Sequence, residues 1–445
     1  MPGSPSSIAA RGALRAAAAV TVRRLVPGHG VPQAHHLALL AESELIPAPA
    51  QWTDASIGVL AAQIAARSRQ NVPAGRGGLE SYFDGTRLRR PASLSPGMRS
   101  TLYAVAAEYS CARGDVASAA DFAEEAALFA QTPAQTYHAL STSAAAAAMN
   151  GEIRAAADDV RAASAIFRAE HWPLSEYAFA HFLAEFIVLC AQLETAAMRD
   201  LISQMRACEA RDASWTFALG VCDVTARMLE HDHAGALAES SALLHGAQSQ
   251  AGHRLNRLSL LCRRSDVLVA RAEAEEALSL LDISASPEGH AVCVPGHRAT
   301  ALLSLGRENE VLSATDACVA DEAGHGLRTL VFVLVRRALA FARLGNAREA
   351  FRGMEAALLV IDRTGDFAMP FLLLPCDEVR SLVQAVAARR PELEAAVTRV
   401  LAALFVVAVD SGAGARPVDD GSARRGPSAS LGEEAPLSAL GRAQS

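Results

Sequence analysis

The residues of this chain with the right types for chemistry are few, and their spacing serves chemistry poorly. Histidines occur as an adjacent pair, His35–His36, and as His231-x-His233. Neighbouring side chains on a helix point in different directions, so His35 and His36 make a poor chelate. The second pair brackets Asp232 where a turn is expected, and it reads as a solvated turn. Neither H-E-x-x-H nor a zinc-finger spacing occurs. The eight cysteines are Cys111, Cys190, Cys208, Cys222, Cys262, Cys293, Cys318 and Cys376. They are irregularly spaced without a C-x-x-C pair, and read as reduced, buried thiols acting as small hydrophobes in a reducing cytoplasm.

Paired carboxylates could do acid–base work only in a pocket that shifts one pKa. Glu124–Glu125, Asp158–Asp159 and Glu275–Glu276 fall on segments expected to be solvated helix faces. The glycine-rich run Gly75-Arg76-Gly77-Gly78 follows no strand and reads as a linker, not a phosphate cradle. All 41 basic residues are Arg. A chain without Lys has no Schiff-base lysine, no lysine general base and no Walker-type phosphate loop. No residue is therefore assigned a catalytic, cofactor-binding or metal-ligating role, no cofactor is expected, and the chain reads as a non-enzyme. An enzyme would need a deep pocket where His and acidic side chains converge.

The net charge of −7 argues against a chain that grips DNA by itself. Arg87, Arg89 and Arg90, and the doublets Arg263–Arg264, Arg336–Arg337 and Arg389–Arg390, are scattered and read as residues of solvated helix faces. No apolar run is long enough to span a bilayer, and Ala16–Val22 is too short for a convincing signal peptide.

The elements that must carry these residues are helices. The chain is 51% hydrophobic but only 5% aromatic, the difference being made up by Ala and Leu, strong helix formers. One pattern recurs. An apolar helix ends at Gly or a short polar pair, and small residues follow five and twelve positions later. Gly114 is followed by Ala119 and Ala126, Gly151 by Ala156 and Ala163, Gly306 by Val311 and Cys318, Gly345 by Ala350 and Ala357. Weaker copies turn at His231 (Ala236, Leu243), at Ala272 (Ala277) and near Ala191 (Ala196). The turns recur every 34 to 41 residues, between the period of tetratricopeptide (TPR) units and that of looser helix-pair arrays. This predicts an all-α, TPR-like helical-repeat solenoid of antiparallel helix pairs over residues 96–404. Residues 1–95 are expected to be partly helical, with helices near Gln33–Glu44 and Asp54–Arg67, a mobile loop from Pro73 to Pro91, and disorder over the first dozen residues. Residues 405–445 read as a disordered tail.

The stretch from Ala338 to Leu404 resembles the end of the helical-repeat region of large MalT-like regulators of the LuxR family. The matching residues are Ala342, Leu344, Gly345, Glu349 and Ala350, then Pro370 and Phe371, then Val379, Arg380 and Leu382. The resemblance implies a sensor and interaction platform in transcriptional regulation, binding a protein partner or small ligand on a concave face. It lacks the ATPase module and the helix-turn-helix domain of that family, so DNA binding by this chain alone is not expected. The alternative is a general TPR-like adaptor unrelated to transcription.

Overall fold

The computed structural model describes residues 5–70, 79–89, 94–208, 213–246, 249, 253–282, 291–366 and 368–412. Three helices open the chain: α1 (Pro5–Arg23), α2 (Ala34–Glu42) and α3 (Asp54–Gln70). A two-stranded antiparallel hairpin, β1 (Phe83–Asp84) and β2 (Arg87–Leu88), pairs Phe83 with Leu88 and Asp84 with Arg87. Seven helix pairs follow: α4 (Pro96–Arg113) with α5 (Val116–Phe129), α6 (Pro133–Asn150) with α7 (Ile153–Ala169), α8 (Phe179–Gln192) with α9 (Thr195–Ala207), α10 (Ala213–Leu229) with α11 (His233–His245), α12 (Arg254–Ala270) with α13 (Ala274–Leu280), α14 (Val294–Ser304) with α15 (Glu308–Ala320), and α16 (Leu327–Arg343) with α17 (Ala347–Thr364). Helices α18 (Cys376–Ala387) and α19 (Glu394–Gly412) end the described chain. The protein is an all-α helical-repeat array.

Every pair turns in the same way. The residue joining the two helices has a left-handed backbone: Gly114, Gly151, Leu193, His231, Ala272, Gly306 and Gly345, with φ between 58° and 99°. In each, the next amide donates to the carbonyl five residues back at 2.8 to 3.0 Å, from Asp115 to Ser110 at the first and from Asn346 to Phe341 at the last. This bond satisfies a carbonyl that the end of a helix would otherwise orphan. The donor residue then sits at the N-cap of the second helix. Asp115, Asp232 and Asn346 cap it with their side chains. Glu152, Glu194 and Glu273 make no side-chain cap bond, since their longer side chains overshoot.

Six of the seven turns fall where the pattern places them. The third does not: it lies at Leu193, two residues beyond Ala191. Ala196 is consequently exposed, and Met198 and Met205, both buried, occupy the two inward positions. A leucine in the left-handed region leaves no glycine to mark the turn, and flexible methionines fill the space that small residues take elsewhere.

The amino-terminal helices also depart from expectation. Helix α1 begins at Pro5, inside the stretch expected to be disordered; its alanines favour helix, and Ala17 and Ala18 pack against Leu37, Leu40 and Ala62. Helices α2 and α3 lie where they were predicted. Of the loop Pro73–Pro91, residues 79–89 are tied down: Trp52 Nε1 donates to the Arg89 carbonyl at 3.0 Å, and Tyr82 Oη to the Ile46 carbonyl at 2.7 Å. The rest of that loop, including Gly75–Gly78, lies outside the described residues. Helix α19 continues past Leu404 to Gly412, and the remainder of the expected tail lies outside the described residues. No described helix is long and apolar enough to cross a membrane.

The array does not stay open. Helix α16 touches α6, and α17 touches α7. The Leu327 amide donates to Asn150 Oδ1 at 3.1 Å, across 177 positions of sequence. At this contact a Cβ on Gly151 would lie 2.7 Å from the Arg328 backbone nitrogen, whereas at Gly345 it would meet nothing within 4 Å. Both glycines have φ that an alanine adopts at a cost of about 1–2 kcal/mol, but only the first also holds the closure. Gly151→Ala is therefore expected to destabilise the protein by roughly 1 kcal/mol more than Gly345→Ala in urea unfolding, and to enlarge the radius of gyration in X-ray scattering, which Gly345→Ala leaves unchanged.

Candidate functional site

Curling the array turns its concave face into the wall of an interior cavity of about 730 Å³. The first helix of each pair (α4, α6, α8, α10, α12, α14 and α16) supplies most of the wall. The second helices face outward, which places Glu124–Glu125, Asp158–Asp159 and Glu275–Glu276 on the outside. Asp159 accepts from Ser143 at 2.7 Å, and Asp158 pairs with Arg161. Both ends of the repeat array fold inward onto the cavity. The segment between α1 and α2 is held by Glu176, which accepts from the amides of Gly28 and Gly30, and contributes Arg24 to the wall beside His35 of α2. The loop after α17 contributes Asp366, Met369 and Pro370.

The middle of the wall is apolar and aromatic, with Phe182, Phe186, Trp215 and Phe332. Charged side chains form two groups. In one, Glu108 and His138 lie 2.8 Å apart, with Arg69 acting on the pair. Burial pushes the Glu108 carboxyl up, but His138 and Arg69 outweigh it and leave it below its usual value. In the other, Asp266 meets His297 Nδ1 at 2.7 Å and Arg263 Nη1 at 2.9 Å. Burial raises Asp266 too, and His297, Arg263 and Arg336 again reverse the sign. Beside them lie Arg328, whose Nη2 donates to the Ala291 carbonyl at 3.4 Å, and Asp366.

Asp366 differs from the other acids. It is 3% exposed, and neither carboxylate oxygen reaches a partner at hydrogen-bonding geometry. Burial drives its pKa up to about 6, against the pull of Arg328, the Met369 and Ala368 amides, and Arg263. A buried acceptor without a partner is costly, and this one lines the cavity.

The arginine doublets explain how that loop is held. Arg263 and Arg336 stand nine positions before their turns at Ala272 and Gly345; Arg264 and Arg337 stand eight before. The first of each doublet points inward. The second reaches back to the preceding helix, Arg264 to the Leu237 carbonyl at 3.1 Å and Arg337 to the Leu312 carbonyl at 2.9 Å. Arg336 is completely buried, contrary to the expectation of a solvated face. It donates to Thr300 Oγ1 at 2.6 Å and to the carbonyls of Pro370 at 2.7 Å and Leu372 at 3.2 Å, and stacks 3.2 Å from the Phe332 ring centroid. Burial lowers its pKa to about 9, which keeps it charged at neutral pH. It fastens the loop bearing Asp366 to α14 and α16. Of the others, Arg89 Nε donates to the Phe83 carbonyl at 3.0 Å, Arg389 lies over the Phe351 ring, and Arg390 pairs with Glu355 and Glu392; Arg90 lies outside the described residues.

The remaining histidine readings divide. His35 and His36 bring their ring centroids within 4.1 Å at a 55° tilt. His231 is the left-handed turn residue itself, and Asp232 caps α11. Six of the eight cysteines are buried; Cys208 and Cys376 are half-buried. What the spacing did not reveal is that Cys293, Cys318 and His325 lie together.

No family model matches the chain, and no curated protein matches it. Among solved structures, the crystal structure of a Rap protein complexed with Competence and Sporulation Factor is similar at 11% identity and a TM-score of 0.41, over 81% of this chain and 87% of that one. A likeness at that level carries no inference about function.

Two outcomes follow from this geometry. Replacing Arg336 with Lys removes the fork and leaves buried carbonyls unbonded; a loss of roughly 2–4 kcal/mol is expected in chemical denaturation. The second concerns Asp366. Its pKa in the folded chain is raised, so the folded state binds the proton more tightly than the unfolded chain does. Stability should therefore fall as pH rises from about 4 to about 6. Asp366→Asn should gain up to ~3 kcal/mol over the native chain near pH 7 and nothing near pH 4. Parallel curves for the two proteins across that range would disprove the assignment.

Proposed function

We propose that this chain is a sensor scaffold that takes a small, largely apolar molecule into its interior cavity. The observation that carries this is Asp366, a buried carboxylate on the wall of an apolar cavity whose oxygens make no hydrogen bond of full geometry, although the Ala368 and Met369 amides and the Arg263 and Arg328 charges lie near it. A cavity of this volume lies within the range of small-molecule sites, and the unpartnered oxygens call for a donor group on the ligand, such as an amine or hydroxyl. Ring closure through Asn150, Gly151 and Arg328 supplies the means of transmission, since Arg328 belongs both to the cavity wall and to the contact that closes the array.

The resemblance of Ala338–Leu404 to MalT-like regulators supports placing the sensor in LuxR-like transcriptional regulation, with DNA contacted through a partner. Affinity capture with the full chain that returns an ATPase or DNA-binding protein would favour that placement. Unrelated partners would favour a general adaptor.

We propose binding and not catalysis. The cavity does bring His and acidic side chains together, as an enzyme would require. In each pair, however, the imidazole is bonded to its own carboxylate, and the other ring nitrogen of His138 has no hydroxyl or thiol to activate.

Thermal shift against a library of amphiphilic amines and alcohols, with native mass spectrometry of the hits, tests the reading. Binders should raise the melting temperature of the native chain. Asp366→Asn should weaken them by about tenfold or more, and Ala218→Trp, which fills the cavity from α10, should abolish binding while the helical signature is kept. Binders unaffected by either substitution, or none in the library, would count against the proposal.

A further inference from the structure

We propose that Cys293, Cys318 and His325 form a zinc-binding site that clamps α14, α15 and the entry to α16. The two sulfurs lie 3.8 Å apart, and Cys293 Sγ lies 3.9 Å from His325 Nε2. All three candidate ligand atoms fall within 4.8 Å of one another, on residues that are 1%, 0% and 7% exposed. Two thiolates about 2.3 Å from a tetrahedral zinc ion stand ~3.8 Å apart, and a thiolate and an imidazole nitrogen ~3.6 Å. The side chains therefore already sit near the edges of a zinc tetrahedron.

The imidazole is oriented for the role. His325 Nδ1 lies 3.1 Å from the Asp321 carbonyl oxygen. An Nδ1–H donated to that carbonyl leaves the Nε2 lone pair directed to the sulfurs, the arrangement usual behind metal-bound histidines. The donor set of two soft sulfurs and one imidazole suits zinc and disfavours calcium or magnesium. Two thiolates also neutralise a divalent ion, which a buried site requires. Three protein ligands leave the fourth position to water or to another small ligand.

The placement has a structural consequence. Cys293 is the N-cap of α14, Cys318 lies in the last turn of α15, and His325 follows α15 just before α16. One ion would join three successive helices through residues 25 and 7 positions apart. Cys293 also lines the cavity, so the clamp borders the proposed ligand site without depending on it.

Metal analysis of the full chain, purified with zinc in the medium and dialysed against a weak chelator, tests this. The expected result is one zinc per chain. Cobalt in its place should give the thiolate charge-transfer band and the intense visible bands of a tetrahedral site, which reads the coordination directly on the native protein. Cys293→Ser, Cys318→Ser and His325→Gln should each weaken zinc binding by at least tenfold, judged by competition with a chromophoric chelator. Cys262→Ser, a buried cysteine outside the cluster, should leave it unchanged. Absence of zinc in the native chain after zinc addition, octahedral cobalt spectra, or binding of Cu⁺ but not Zn²⁺ would each overturn the assignment.

Discussion

The close approach of Gly151 to the backbone of Arg328 is the constraint on which the functional architecture depends. Helix pairs joined by short turns stack with a small rotation per unit, and their concave face is ordinarily open to solvent. Here the thirteenth helix of the seven stacked pairs comes within bonding distance of the turn of the second pair. A side chain at residue 151 would hold the two apart. Its absence lets the Leu327 amide reach Asn150 Oδ1, and the concave face becomes a cavity wall. Desolvation of Asp366, the inward arginines and the apolar lining all act as they do because that surface faces inward.

The repeat itself rests on a backbone device that tolerates variation in the side chain. Four turns use glycine and three use Leu, His or Ala, yet all seven place a left-handed residue before the same long-range turn bond. The three non-glycine residues store a local strain of about 1 kcal/mol each, which the packing of the pairs offsets. The arginine doublets repeat at equal register in the fifth and seventh pairs. Within each, one guanidinium serves the interior and the other ties a unit to its predecessor. A chain without Lys uses the planar fork where several carbonyls must be bonded at once.

Stability and the proposed binding role pull in opposite directions at Asp366. Its loop is anchored by Arg336, which bonds the Pro370 and Leu372 carbonyls, and the carboxylate is thereby kept in a site where burial opposes its charge. Residues that cost stability and persist because the surroundings hold them in place are characteristic of binding sites.

Much of the secondary structure was legible in the sequence because its causes are local. Ala and Leu set helix formation, Gly sets the left-handed turn, and small residues five and twelve positions on set the close approach of the second helix; these signals placed six turns of seven. The seventh was hidden because Leu193 takes the conformation by force of its surroundings and not by intrinsic preference, and the start of α1 was hidden in a segment whose Pro, Gly and Ser outweighed its alanines in the reading. The closure, the cavity, the burial of Arg336, the unpartnered state of Asp366 and the meeting of Cys293 with His325 could not be read at all. Each joins residues far apart in the chain, and whether they meet depends on the accumulated rotation from one helix pair to the next. That rotation is a sum of many small packing angles with no single residue to signal it, so only the tertiary structure decided it.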